Sequence, residues 1–137
     1  MAPEQAKIVY ADTSGLYAML DAGDGRHKEA AAIVQSLLSE GALLVTTNYV
    51  VTELTALVQN RLGLDVALLV HRGLLPALEI VFVDRGLHGR ATAAWAAARR
   101  RGLSLVDCAG FELMRDLGLV TALAFDRHFE EQGFALP

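Results

Sequence analysis

The stretch SLVDCAGFELMRDLGLVTALAFDRHF, residues 104–129, sets two aspartates, Asp107 and Asp126, inside apolar runs where a core would take Val or Leu. Its first part, from Ser104 to Gly118, has helical apolar spacing; its second, LVTALAFD at 119–126, reads as a buried strand that ends on Asp126. The same conflict occurs at Asp12 in IVYADTSG (8–15) and at Glu53 in TTNYVVTELTAL (46–57).

Working outward, KIVYAD (7–12) reads as a strand and TSGLYAML (13–20) as a helix that Thr13 or Ser14 can cap. DAGDGRH (21–27) is a turn cluster, and HKEAAAIVQSLLSEG (27–41) a helix stopping at Gly41. ALLVTT (42–47) is a second strand. NYVVTELTALVQNRLG (48–63) is a helix with Val50, Leu54, Leu57 and Val58 on one face. DVALLVHRGLLPAL (65–78) is a helix bent or ended near Pro76. EIVFVD (79–84) is a third strand, GRATAAWAAARRRG (89–102) an Ala-rich helix, and RHFEEQGFAL (127–136) closes the chain with room for a short strand. Strands alternating with helices predict one α/β domain over 1–137, a mainly parallel central sheet flanked by helices.

The 137 residues are 53% hydrophobic and 20% charged, which fits a packed core and excludes disorder. The net charge of −4 gives no overall basic character. One cysteine, Cys108, forms no internal disulfide, and the four histidines have no zinc-ligand spacing. There is no signal-peptide pattern and no apolar run near the roughly 18 residues of a membrane span, so the cytoplasm is the expected compartment and no membrane partner is expected.

Each acid has an ordinary explanation. Asp12 can cap a helix. Glu53 can favour a helix N-terminus. Ser104 and Asp107 have capping-box spacing, and Asp126 can end a turn or pair with Arg127. Their joint placement says more. Two end strands and two lie early in helices that follow extended segments, so a parallel layout gathers all four at one sheet edge, where such sheets bind ligands. Four clustered carboxylates repel one another and lose hydration. A divalent cation would offset that, and hard oxygen ligands point to Mg²⁺ or Mn²⁺. The chemistry that follows is phosphodiester hydrolysis by an activated water.

The segments VYADTSGLYAML (9–20), TTNYVVTELTALV (46–58), LSLVDCAGFELM (103–114) and ALAFDRHFEEQGF (122–134) resemble the PIN-domain family, and within it the VapC toxins of toxin–antitoxin pairs. The resemblance runs from Ile8 to Leu136. It implies a metal-dependent endoribonuclease with acidic metal ligands at Asp12, Glu53, Asp107 and Asp126. It also implies a nearby hydroxyl, for which Thr13 and Ser104 are the matching residues. It implies an RNA substrate, a homodimer and a cognate VapB-like antitoxin that inserts a segment into the active-site groove. The chain departs from the pattern at Val106, where relatives often carry a hydroxyl, and at Ala109 and Gly110, where Thr or Ser often follows.

Arg127 adjoins Asp126 and is a candidate phosphate or carboxylate partner. Arg99–Arg101 is the one basic cluster, read as a cationic helix end rather than an RNA contact. Trp95 reads as a core or dimer residue, Cys108 as a buried hydrophobe, and His128 as an edge residue outside the ligand set. Two other function classes remain: a phosphatase using Asp12 as nucleophile, and a non-catalytic PIN-fold interaction module.

Overall fold

The first strand is almost wholly apolar, and in the computed structural model, which describes residues 6–137, it runs down the middle of the sheet. Strand β1 (Ile8–Ala11) pairs with β2 (Leu43–Thr47) on one side and β4 (Ala122–Leu123) on the other, and β3 (Glu79–Val81) extends the sheet beyond β2. All pairings are parallel, in the order β3-β2-β1-β4. Val9, Tyr10 and Ala11 are fully buried, as a strand covered on both faces requires.

Helix α1 (Thr13–Leu20) follows β1 and α2 (His27–Ser39) packs on it. Helix α3 (Asn48–Leu62) follows β2 directly, capped by Thr47, whose Oγ1 accepts from Val50 N at 3.1 Å. Val50, Leu54 and Val58 are buried on its inner face and Leu57 is half-buried, in line with the spacing. Gly63, at φ 97°, turns the chain into α4 (Leu64–Leu69). That helix widens to a π turn at Val70–Leu74 and tightens to a 3-10 turn at Leu75–Ala77, which contains Pro76. The helical run therefore ends where the proline, without an N–H to donate, was expected to end it.

Two boundaries differ from the sequence reading. Strand β3 stops at Val81, and helix α5 spans Arg85–Ala98, four residues earlier at each end than expected. Asp84 is the cause at one end: its Oδ1 accepts from Leu87 N at 2.8 Å and caps the helix ahead of the glycines. At the other end Arg99 takes the left-handed conformation, φ 49°, and ends the helix before the arginine run is complete. Helix α6 (Leu105–Leu117) packs against α5, and α7 (Arg127–Glu131) follows β4. The short closing strand is reduced to one bridge, Thr121 with Ala135.

Two glycines set how closely the layers approach. A Cβ on Gly15 would lie 2.2 Å from the Leu123 carbonyl oxygen, so α1 rests directly on β4. A Cβ on Gly110 would lie 2.6 Å from Tyr10 Oη, so α6 lies against the ring of the central strand. Backbone at Leu123 cannot swing aside as a side chain can. Gly15→Ala is expected to cost about 3 kcal/mol or more, measured by urea unfolding, whereas Gly25→Ala, with open space around it, is expected to be near neutral.

Candidate active site

Beyond the carboxyl ends of β1 and β4, aspartates cap the helices that follow, and a third aspartate completes the cap of α6. Asp12 follows β1 and caps α1; its Oδ2 accepts from Ser14 N at 3.2 Å and from Ser14 Oγ at 2.8 Å. Asp107 completes a capping box at the start of α6: its Oδ2 accepts from Ser104 N at 3.1 Å, and Ser104 Oγ accepts from Asp107 N at 3.0 Å. Asp126 follows β4 and caps α7, its Oδ1 accepting from His128 N at 2.9 Å. The cap is thus Asp12 itself, in place of Thr13 or Ser14. Capping and site-building, which the sequence posed as alternatives, coexist in the same side chains.

The structure brings Asp107, Asp126 and His128 together, with one potential ligand atom from each lying within 4.8 Å of the others. Asp12 is 3% exposed and Asp107 7%. Burial is the largest influence on both carboxyls and pushes both up. The charge of Asp107 raises Asp12 further, to about 7, and that of Asp126 raises Asp107. The Oδ1 atom of Asp12 is buried with no hydrogen-bond partner among the described residues. A carboxylate oxygen left dry and unpaired beside a second acid is a large unmet electrostatic demand.

Glu53 stands apart. It lies on the second turn of α3, exposed, and the leading charge effects on Asp12 and Asp107 come from the other two aspartates rather than from it. Arg127 points away from Asp126. Its side chain is 82% exposed, and its ion-pair partner is Glu131, at 3.9 Å. The cation nearer the acids is Arg100, which pairs with Glu131 Oε2 at 2.6 Å and also feels the charge of Asp126. Thr13 is buried with its hydroxyl unpartnered, and Ser104 is spent on the capping box.

Three residues had gone unread or undervalued. Ser14 Oγ donates to Asp12 and also accepts from Phe125 N at 3.0 Å, so one atom joins the ends of β1 and β4. Its signal was the DTS sequence, which offered two hydroxyls and no way to choose between them. His128 is buried against the cluster. Its Nε2 lies 3.0 Å from the Gly102 carbonyl oxygen, which can only accept, so Nε2 carries the proton and is no metal ligand in this arrangement. Tyr10 Oη is buried and unpartnered among the described residues, and burial and Asp12 keep it well above the ordinary tyrosine range. Farther along the same edge, Tyr49 on α3 hydrogen-bonds His88 Nδ1 on α5.

The raised carboxyl of Asp12 has a thermodynamic consequence in the metal-free protein. Between its ordinary value of 3.8 and about 7, the folded chain holds a proton that the unfolded chain has released. Stability therefore falls as pH rises through that window, by on the order of 4 kcal/mol for this group. Asp12→Asn removes the titration. In EDTA its melting temperature is expected to exceed that of the wild type at pH 8, with the gap closing as pH falls toward 4, measured by thermal unfolding across pH.

Comparison with known proteins agrees with this architecture. The chain is 31% identical over 135 residues to the 23S rRNA-specific endonuclease VapC20 of Mycobacterium tuberculosis, covering 93% of this chain and 95% of the relative. The crystal structure of that protein, titled a sarcin-ricin loop cleaving toxin, superposes with a TM-score of 0.82 at 30% identity, covering 92% of this chain and 95% of the other. FitAcB of Neisseria gonorrhoeae (TM-score 0.69, 14% identity, 94% and 96% covered) and DNA-bound VapBC of Salmonella typhimurium (0.66, 17%, 97% and 98%) share the fold. Residues 9–135 match the PIN domain model, and the chain belongs to the PIN domain family.

Proposed function

We propose that this protein is a metal-dependent endoribonuclease, the toxin of a VapBC-type toxin–antitoxin pair, acting on structured RNA. The observation that carries the reading is the buried Oδ1 of Asp12, unpaired among the described residues and beside Asp107, which in turn feels Asp126. The relative of similar length that acts on 23S rRNA supports the substrate class.

The donor set fits a hard divalent ion, Mg²⁺ or Mn²⁺: carboxylate oxygens, no thiolate, and an imidazole whose facing nitrogen is occupied by its own proton. Asp12, Asp107 and Asp126 would hold it, with Glu53 as the fourth acid at the rim. When bound, the ion lowers the pKa of a water and polarises the phosphodiester. The protein's share is to hold its oxygens still. Ser14 fixes the Asp12 rotamer, Ser104 N fixes Asp107, and His128 N fixes Asp126. Each of these hydrogen bonds occupies one carboxylate oxygen and leaves the other without one. Glu53, exposed on the second turn of α3, would orient the attacking water from the rim.

An Asp12 nucleophile finds little support, since the residue is 3% exposed and Lys7, one of two lysines, lies at the opposite end of β1. A VapB-like antitoxin as partner, self-association as a dimer and cytoplasmic action belong to the same proposal. No described helix is long and apolar enough to cross a membrane.

Purified protein is expected to cleave a panel of structured RNAs in Mg²⁺ or Mn²⁺ and not in EDTA. Asp107→Asn is expected to lose on the order of 100-fold or more in rate; equal cleavage by that variant would sink the assignment. Ser14→Ala keeps all the acids but frees the Asp12 rotamer. Its Mn²⁺ affinity, read by calorimetry, is expected to fall roughly tenfold.

A further inference from the structure

Trp95 reads from sequence as a core or dimer residue, yet it is 44% exposed. It lines an open hollow of about 430 Å³ with Ala96, Arg99, Arg100 and Arg101. One turn away on α5 stand Ala91, Thr92 and Ala98, all small residues. The left-handed turn at Arg99 gathers three arginines beside one indole in a chain whose net charge is −4. A non-glycine residue at positive φ costs on the order of 1 kcal/mol, and extending α5 through Arg99 would have avoided that cost. Arg100 is tied to Glu131, whereas Arg99 and Arg101 make no ion pair among the described residues.

The hollow neighbours the acidic site through Arg100, which lines it, pairs with Glu131 at 2.6 Å and feels the charge of Asp126. The Gly102 carbonyl accepts from His128 Nε2, and Ser104, two residues on, caps the helix that carries Asp107. A strand of nucleic acid with its scissile phosphate at the aspartates would meet the arginines next. Arginine guanidinium groups pair with phosphates, and an exposed indole stacks on an unpaired base of any identity. Both demands belong to single-stranded or looped RNA, whose bases are free to splay outward.

We propose that Trp95, Arg99 and Arg101 form an RNA-binding platform beside the active site, with the arginines on backbone phosphates and the indole on an unpaired base. The platform rests on the ribonuclease reading but has its own readout. Trp95 is the chain's one tryptophan, so its fluorescence reports stacking directly.

Single-stranded and hairpin RNA oligonucleotides would be titrated into Asp107→Asn protein in EDTA, following tryptophan emission, with fluorescence anisotropy of labelled RNA in parallel. Quenching on binding is expected. Trp95→Ala is expected to weaken binding about tenfold, and Arg99→Ala and Arg101→Ala each to lower the slope of log affinity against log salt by about one. In the cleaving protein the same variants are expected to raise KM and leave kcat and Mn²⁺ affinity unchanged. RNA binding without quenching, or unchanged by these variants, overturns the platform. Variants that lose self-association or antitoxin binding at constant RNA affinity overturn it too and assign the patch to a protein partner. Wild-type protein that binds RNA through the patch but never cleaves it overturns the nuclease reading alone.

Discussion

Repulsion of Asp12 by Asp107, and of Asp107 by Asp126, is the constraint around which the carboxyl edge of the sheet is organised. Two of these acids, Asp12 and Asp107, are buried, where neighbouring carboxyls favour protonation or separation. All three are held in place because each accepts a hydrogen bond from the backbone of the helix it precedes or begins: Ser14 N, Ser104 N and His128 N. Helix N-termini carry partial positive charge, so the fold supplies part of the compensation itself. The balance is incomplete at Asp12, whose second oxygen has no partner among the described residues, and that deficit is what a divalent ion would meet. Stability of the empty edge and affinity of the filled one are therefore opposed quantities.

The layers beneath serve the same geometry. Gly15 lets α1 sit on β4, so that Ser14 reaches both Asp12 and Phe125. Gly110 admits the Tyr10 ring under α6, because any Cβ there would meet the tyrosine. The Tyr10 hydroxyl consequently lies where the charges of Asp12 and Asp107 act on it.

Much of this was legible beforehand. The parallel direction of the strands followed from alternation of elements, and strand ends and helix starts alone predicted that the acids would share one edge; the structure brings Asp107 and Asp126 together there, with Asp107 beside Asp12, while Glu53 stands apart. What stayed hidden was what depends on individual rotamers and on distant partners. That Ser14, not Thr13, would bridge to Phe125 depends on a contact 111 residues away in sequence. Arg127 adjoins Asp126 in the chain, but the first turn of a helix points successive side chains in different directions, and it reaches Glu131 instead. The helix over 85–98 was misplaced because two glycines masked a start that Asp84 fixes. Trp95 is not the core residue that was one of its two readings, because apolar composition says nothing of which face of an alanine-rich helix remains uncovered.

The shortness of β4 has a consequence for how the acidic edge holds together. With two residues in the strand, its position also relies on the late segment, where Ala122 N donates to Ala135 O and Ala135 N to Val120 O. Phe134 packs on Phe129 and Phe111 in the same corner. The seat of Asp126 is thus clamped by residues that carry no chemistry themselves, and whatever pries that corner loose slackens the acidic edge with it.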